Sequence, residues 1–418
     1  MQNKITAALL GVAVGDALGV PVEFEEREYL TRFPVVDMQA FGTHHQPAGT
    51  FSDDASLTFC LAEALVNGCD PDEIADNFKL WLYQGFWSAR GQVFDIGIAT
   101  HQAIERLARG IKPEVAGGFE VSSNGNGSLM RILPLVFYIK DKPVEERYAI
   151  TKMVSSITHG HVRSVIACFY YLEFARHLLE TTDIHYIYTL LKTEVGDFLK
   201  AKGIIADEVA IFDRLLKGDI YTLPEDEVQS SGYVLHTLEA SIWCLFTTDN
   251  YKDATLKAVN LGSDTDTTAA VTGGLAALLY GYETIPQDWL NVLAKRQDIE
   301  KLAVRLDKGL QIQNADFIAE LTYKTTEQGG RKTPAASGYR PQIKFSFDKM
   351  STSGTQIFID KEFVYPGETV EAAIRILSPE FFNGRLYDGL DFEFMEGDKV
   401  LGKGTITNIL NPDLKTKI

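Results

Sequence analysis

The chain has few cysteines. Only four of its 418 residues are Cys, and no two of them form a CxxC pair. Their neighbours are mostly apolar, so we expect buried, reduced thiols rather than disulfides or a zinc site. This use of cysteine is typical of a cytoplasmic protein.

Positive charge is also scarce. Lys and Arg number 40 against 57 Asp and Glu, which gives a formal net charge of −17. Such a balance argues against non-specific binding to nucleic acid or to an anionic membrane. A small anionic ligand would therefore need local positive charge from metal ions, helix N-termini or a few basic residues.

Long apolar runs are missing as well. The stretch 5–14 imitates the apolar part of a signal peptide, but residues 15–19 carry the pattern onward without a small-residue cleavage site. By the sequence pattern, no apolar run reaches the length of a transmembrane helix, so we expect no membrane partner.

Most of the chain has a helical pattern. Residues 233–246 and 268–280 are apolar nearly all round, which predicts central, buried helices, and no period of 20–50 residues indicates a repeat protein. We predict a mainly α protein in which residues 1–323 form one all-helical catalytic domain.

The amino-acid composition changes after residue 323. Residues 324–341 are rich in Thr, Gly, Ser and Pro and predict a linker. Residues 342–418 alternate strand-like runs with Gly-bearing turns, which predicts a small β-barrel or β-sandwich. We expect this small domain to bind a partner, since it shows no obvious catalytic set.

Two acidic clusters stand directly before apolar helical stretches. They are Ser52-Asp53-Asp54 and Ser263-Asp264-Thr265-Asp266-Thr267. Carboxylate and hydroxyl oxygens are ligands suited to Mg²⁺ or Mn²⁺. As an alternative, each cluster could only cap its helix. A cap needs one acid, however, and several acids repel one another unless a cation neutralises them. We therefore predict that both clusters form one two-metal hydrolytic site.

A third segment, residues 122–131, is a Gly-rich loop entering an apolar stretch. Gly125 and Gly127 would let an anion approach backbone N–H groups, and Ser128 and Arg131 could add donors. The alternative is an ordinary Asn-Gly turn.

Four further polar residues stand near these segments. Asp16 lies within a dense apolar helix and predicts a buried hydrogen-bonding residue. Glu23 follows Pro21, which is expected to end the helix, and is therefore free to face a cleft. Asp95 could cap a helix or act as an acid–base group. His159 could lie in an ordinary loop or donate to a phosphate or sugar hydroxyl.

In this order, the segments resemble the ADP-ribosylglycohydrolase family over roughly the first 280 residues. The matching segments are Gly15-Asp16-Ala17-Leu18-Gly19 with Glu23, Ser52-Asp53-Asp54, Asp95-Ile96-Gly97, Asn124 to Arg131, Thr158-His159 and Gly262 to Thr267. The resemblance implies an all-helical bundle around two divalent cations, Mg²⁺ or Mn²⁺. One departure is visible, because Ser263 stands where the family pattern has glycine.

The resemblance also implies roles for individual residues. The metal ligands would be Ser52, Asp53, Asp54, Asp264, Asp266 and Thr267. The substrate-binding residues would be Asn124, Gly125, Asn126, Gly127, Ser128, Met130, Arg131 and His159. Asp53, Asp54, Asp95 and Glu23 would be catalytic, without a division into general acid and base.

These roles predict a metal-dependent hydrolase that removes ADP-ribose from a modified protein or small molecule. Arginine is the expected linkage, and reversal of a toxin's or a regulatory modification is the expected purpose. The alternative is an immunity protein that binds ADP-ribose or blocks an ADP-ribosyltransferase toxin by contact. Separately, segments 364–367, 389–397 and 400–406 weakly resemble the last β-barrel domain of elongation factor Tu.

Overall fold

The computed structural model describes residues 1–347 and 351–416 and divides into two compact units, Met1–Asp307 and Lys308–Ile418. The first unit is helical, as predicted, and the second is a β structure. The helices are α1 Gln2–Gly19, α2 Arg27–Arg32, α3 Asp53–Leu65, α4 Pro71–Gln84, α5 Ile98–Ala108, α6 Pro113–Ala116, α7 Leu135–Ile139, α8 Val144–Ser156, α9 Val162–Leu178, α10 Ile184–Ala201, α11 Ala206–Ala210, α12 Asp213–Leu216, α13 Val234–Phe246, α14 Tyr251–Asn260, α15 Thr265–Tyr280, α16 Gln287–Val292 and α17 Arg296–Gln313.

Helices α1 and α15 pack closely at the centre of the helical unit. A Cβ atom at Gly15 would lie 2.1 Å from the carbonyl oxygen of Ala269, and one at Gly19 would lie 2.3 Å from the Cα atom of Asp266. Larger side chains would therefore push the two helices apart. This close approach places the end of α1 beside the first turn of α15, where the second acidic cluster lies.

The first helix corrects one expectation drawn from the sequence. The segment Gln2–Val22 is long and apolar enough to span a membrane by length and composition, but 94% of its apolar window is buried inside the structure. Its apolar character is explained by its position in the core, where nearly every face of the helix contacts other helices.

The β unit contains a closed barrel. Its six antiparallel strands follow the order β1-β6-β4-β3-β7-β8, and β2 pairs with β5 in a separate two-stranded sheet. The strands are β1 Phe317–Tyr323, β2 Ala335–Ala336, β3 Gln342–Phe345, β4 Thr352–Phe358, β5 Phe363–Val364, β6 Thr369–Ile376, β7 Asp391–Glu396 and β8 Lys399–Ile409. Alternate residues of these strands fill the barrel with aromatic and aliphatic side chains. The small domain is thus a barrel rather than a sandwich.

The predicted domain boundaries need correction. Strand β1 (residues 317–323) was assigned to the helical domain, yet it pairs with β6 and β8 and closes the barrel. The predicted linker, residues 324–341, contains β2, which pairs with β5, and Ser337 N–H donates to the carbonyl of Glu362 at 2.7 Å, so this segment packs within the β unit. The alternation of apolar residues in 317–323 is a strand pattern, but only its pairing with strands far along the chain assigns it to the barrel.

Candidate active site

The first turn of α3 is fixed by the buried carboxylate of Asp16. Asp16 Oδ1 accepts the N–H of Ser52 at 2.8 Å, and Oδ2 accepts the N–H of Ala55 at 2.9 Å. These N–H groups have no acceptor within their own helix, so the carboxylate of Asp16 on α1 accepts their hydrogen bonds. Asp16 is the buried hydrogen-bonding residue that the sequence indicated, and its partners show that it orients the first acidic cluster.

The structure brings the two acidic clusters together. Carboxylate oxygens of Asp16, Asp54 and Asp266 lie within 4.8 Å of one another, and those of Glu23, Asp264 and Asp266 form a second such group. Asp266 belongs to both groups. The helix N-termini of α3 and α15 therefore meet at one acidic centre, although more than two hundred residues separate them in the chain.

Several oxygens of this centre lack a hydrogen-bond donor. Asp54 Oδ1, Asp264 Oδ1 and Asp266 Oδ2 are buried and have no partner among the described residues. Burial, followed by repulsion from neighbouring carboxylates, raises the pKa of Asp54 and of Asp266 well above the ordinary value. Hard oxygen atoms without donors, at a distance that one cation can span, fit a divalent cation such as Mg²⁺ or Mn²⁺.

The hydroxyl residues of the two clusters also face this centre. Ser52 Oγ donates to Asp54 Oδ2 at 3.1 Å, and Thr267 Oγ1 donates to the same oxygen at 3.3 Å. Asp53 is buried at the edge of the adjoining cavity, and burial and the charge of Asp54 raise its pKa well above the ordinary value. All six predicted metal ligands thus lie in one region.

A cavity of about 310 Å³ opens above the acidic centre. It is bordered by Glu23, Phe24, Asp53, Asp95, Ile96, Gly97, Ile98, Ala99, Thr100, Gly125, Asn126, Gly127, Met130, His159, Gly232, Asp264 and Thr267. Five of the eight predicted substrate-binding residues therefore line it. Its size suits part of a nucleotide sugar rather than a macromolecule.

His159 stands at the back of the glycine loop as a neutral imidazole. Thr158 Oγ1 and His159 Nδ1 form a 2.7 Å hydrogen bond, and burial together with the charge of Arg131 lowers the pKa of His159 to about 3. If Thr158 donates this bond, the Nε2 proton is left to donate toward the cavity. A Cβ atom at Gly127 would lie 2.8 Å from His159 Cε1, so only glycine keeps this approach open.

Three predicted substrate-binding residues lie behind the loop instead. Asn124 bonds to Val121 O, Ser164 Oγ and the ring of His161, while Ser128 contacts Cys168 and Ser155. Neither lines the cavity.

Arg131 is the clearest correction. Its guanidinium is fully buried, donates to the carbonyls of Gly127 and Val154, and stacks over Phe78. Burial lowers its pKa to about 10. The sequence suggested a phosphate-binding cation, but the side chain points back into the core and supports the loop that borders the cavity.

Asn126 borders the cavity but has its own bonding partners. Its amide donates to Asp264 Oδ2 and to Thr237 Oγ1, both at 2.9 Å. The hydrogen bond to Asp264 Oδ2 orients that carboxylate, while its other oxygen, Oδ1, has no partner among the described residues. Asn126 therefore connects the glycine loop to the acidic centre.

The mouth of the cavity carries two acids and a histidine. His44 Nε2 bonds to Glu23 Oε2 and lies 3.9 Å from Asp95 Oδ1. Burial, with the charges of Asp95 and Asp264, raises the pKa of Glu23 to about 10. Both acids could be predicted from the sequence, whereas His44 could not, because this residue stands in a loop without any motif and reaches the site only through the fold.

Comparison with known proteins agrees with this geometry. A family model described as ADP-ribosylglycohydrolase matches residues 1–315. The chain belongs to the ADP-ribosylglycohydrolase family. It is an enzyme of that class, and the acidic centre lies within the part of the chain that the family model covers.

Individual relatives support the same assignment. The chain is 33% identical over 310 residues to the ADP-ribosylarginine hydrolase Tri1 of Serratia proteamaculans, covering 73% of this chain and 79% of that protein. It is 27% identical over 312 residues to the ADP-ribosyl-[dinitrogen reductase] glycohydrolase of Rhodospirillum rubrum, covering 72% and 93%. A solved structure named ADP-ribosylglycohydrolase-related protein complex shares 31% identity with a TM-score of 0.62, covering 74% of this chain and 98% of that one.

Ser263, the visible departure from the family pattern, has a strained backbone. Its φ angle is +66°, in the left-handed region that favours glycine. Two backbone bonds hold it there: Phe24 N–H donates to Ser263 O at 2.7 Å, and Ser263 N–H donates to Glu25 O at 2.8 Å. The loop before Asp264 is therefore fixed against the segment after α1, despite the cost of a side chain at this position.

Proposed function

We propose that the helical unit hydrolyses the bond between ADP-ribose and a modified arginine side chain in a reaction that depends on divalent cations. One observation carries the proposal. Two distant helix N-termini present buried, unpartnered carboxylate oxygens at the floor of a cavity of about 310 Å³. Keeping these acids together without a neutralising cation would be costly, because each raises the pKa of the others.

Two lines support arginine as the acceptor. Two relatives that share 33% identity with this chain are named ADP-ribosylarginine hydrolases. In addition, Glu23 and Asp95 stand together at the mouth of the cavity, where the N–H groups of a guanidinium would find oxygen acceptors. An unmodified lysine or a serine hydroxyl would not present the same planar set of donors.

Ser52, Asp53, Asp54, Asp264, Asp266 and Thr267 are the residues that would hold two cations. Bound Mg²⁺ or Mn²⁺ would position ribose hydroxyls and lower the pKa of a water molecule. Asn126 and Asp16 orient this set from behind, through Asp264 and through the first turn of α3.

The other cavity residues have distinct tasks. The N–H groups at Gly125 and Gly127, with His159 Nε2, would bind the diphosphate and neighbouring ribose. Glu23 and Asp95 would move a proton to or from the leaving guanidine nitrogen while positive charge develops at the sugar C1″. His44, which bonds to Glu23, would hold that carboxyl in place.

We propose that the reaction takes place in the cytoplasm and reverses a modification made by a toxin or by a regulatory transferase. The β unit would bind the partner protein, not the sugar, because all the proposed ligands lie within the helical unit. A chain ending at Gln313 should therefore keep activity on a small substrate, whereas an end at residue 323 would leave β1 without its barrel.

The test is hydrolysis of matched peptides that carry ADP-ribose on arginine or on serine, with Mg²⁺, with Mn²⁺ and with excess chelator. We expect release of ADP-ribose from the arginine peptide only, and only when a cation is present. Turnover in chelator would refute the metal role. Binding of both peptides without any turnover would instead support an ADP-ribose-binding immunity protein.

A further inference from the structure

A second cavity, of about 560 Å³, adjoins the catalytic one. We call it the acidic groove, and it is bordered by Phe24, Glu25, Glu26, Arg27, Asp226, Val228, Gln229, Ser230, Ser231, Leu261 and Ser263. Phe24 borders both cavities. The chain also passes directly from one to the other at Ser231–Gly232 and at Ser263–Asp264. A chain leaving the mouth of the catalytic cavity could therefore continue into the groove.

The wall of the groove is fixed by Arg27. Its guanidinium donates to the backbone carbonyls of Leu261 (2.8 Å), Glu225 (2.7 Å) and Val228 (2.6 Å). These bonds join the start of α2 to the end of α14 and to the segment before α13. Arg27 is the only Lys or Arg among the residues that border the groove, and its guanidinium is bonded to backbone carbonyls of the protein.

The remaining charges of the groove are negative. Glu25, Glu26 and Asp226 have no ion-pair partner in the part of the chain that the structure describes, and Glu26 and Asp226 are exposed. A nucleotide diphosphate would be repelled here. A positively charged segment would instead be attracted, and the exposed ring of Phe24 would contact the stems of its side chains.

We propose that the acidic groove binds a lysine- or arginine-bearing segment of the target protein, next to the modified arginine. This inference rests on the proposed function, because it places the acceptor side of the substrate at the mouth formed by Glu23 and Asp95. The ADP-ribose would then lie toward the glycine loop, where N–H donors and a neutral imidazole replace the acids. Exposed Phe24, held with φ at +67° by its bond to Ser263 O, marks the passage between the two cavities.

The experiment compares three substrates at low ionic strength: free ADP-ribosylarginine, a peptide with lysines flanking ADP-ribosylarginine, and the same peptide with glutamates. The test variant is the triple change Glu25→Gln, Glu26→Gln and Asp226→Asn. Its matched control is Glu180→Gln, Asp197→Asn and Glu283→Gln, which removes three exposed acids that border neither cavity.

We expect the wild-type protein and the control to prefer the lysine peptide by about tenfold or more in kcat/KM, since electrostatic steering acts on association. The groove variant should lose most of that preference while its kcat/KM for free ADP-ribosylarginine changes less than about twofold. An unchanged preference in the groove variant, or no preference in the wild-type protein, would overturn the proposal.

Binding of an unmodified lysine peptide, measured by fluorescence anisotropy, separates this inference from the proposed function. Salt-sensitive binding that the groove variant loses would support the groove even if no substrate were hydrolysed. Hydrolysis of free ADP-ribosylarginine without any such binding would support the proposed function and refute the groove.

Discussion

Two carboxylate clusters in the helical unit have the same close spacing of ligand atoms but opposite surroundings. The acidic centre gathers Asp16, Asp54 and Asp266, and the second cluster gathers Glu173, His177 and Glu194 on α9 and α10; in each, three ligand atoms lie within 4.8 Å. Distance alone would make both of them candidate cation sites.

The counter-charges distinguish them. Arg147 donates to both oxygens of Glu173, at 2.6 and 2.7 Å, and Arg176 adds a third bond at 3.0 Å. No described cation does this at the acidic centre, where three carboxylate oxygens stay unpartnered. The second cluster is therefore a closed ion-pair network, whereas the first offers unpartnered carboxylate oxygens that fit a cation from solution.

The sharpest way to break this comparison is to remove a carboxylate from the acidic centre. Asp54→Asn or Asp266→Asn should lower the rate of ADP-ribose release by about 10²- to 10³-fold, because a lost ligand weakens stabilisation of the charge that develops in the reaction. The melting temperature without added cations should stay the same or rise, since repulsion is relieved. Rates and thermal melts check both parts, and full activity in either variant would contradict the assigned role.

Removing a carboxylate from the second cluster should lower stability and leave activity nearly unchanged. Glu173→Gln leaves two arginines facing a neutral amide in a site that is only 2% exposed, so we expect a loss of about 3 kcal/mol in unfolding free energy. Activity per folded molecule should change little. Urea denaturation measures the unfolding free energy, and a value equal to that of the wild-type protein would contradict the assignment of Glu173 to a closed ion-pair network.

Glu239 on α13 is an intermediate case. Its Oε2 lies 3.4 Å from Arg214 Nη1, its Oε1 has no partner among the described residues, and burial raises its pKa to about 7 despite the arginine. Because the pKa of this carboxyl is higher in the folded state, its protonation stabilises the folded protein, fully so at pH values below the unfolded-state pKa near 4.5. This stabilisation is lost as the pH rises through the folded-state pKa of about 7. Glu239→Gln should therefore gain about 2 kcal/mol relative to the wild-type protein at pH 8, and little at pH 4. A pH series of urea melts tests this, and equal gains at both pH values would contradict it.

The smallest effect should come from the loop that carries Asp264. Ser263→Gly removes the strain of a left-handed serine but adds freedom to the unfolded chain, so we expect a gain below about 1 kcal/mol. Thermal melts give the value. A clear loss of stability would show that the serine side chain makes a contribution that the strain argument omits.

The sequence alone predicted much of this protein. Ser52-Asp53-Asp54 and Asp264 to Thr267 could be found because several acids and hydroxyls stand together at short spacing before a helix, and the β character of residues 342–418 could be predicted because the turns between its strands are encoded locally. The family resemblance added the order of the motifs.

Only the tertiary structure decided which polar residues face the cavity. Arg131 and Asn126 stand five positions apart in one motif, yet the first supports the loop from the core and the second reaches Asp264. His44 carries no local signal and strand β1 only a short alternation, and the roles of both depend on partners that the fold brings from elsewhere in the chain. The same holds for the two carboxylate clusters: composition is a local property, whereas the presence or absence of an arginine beside a buried acid is settled by how the helices pack.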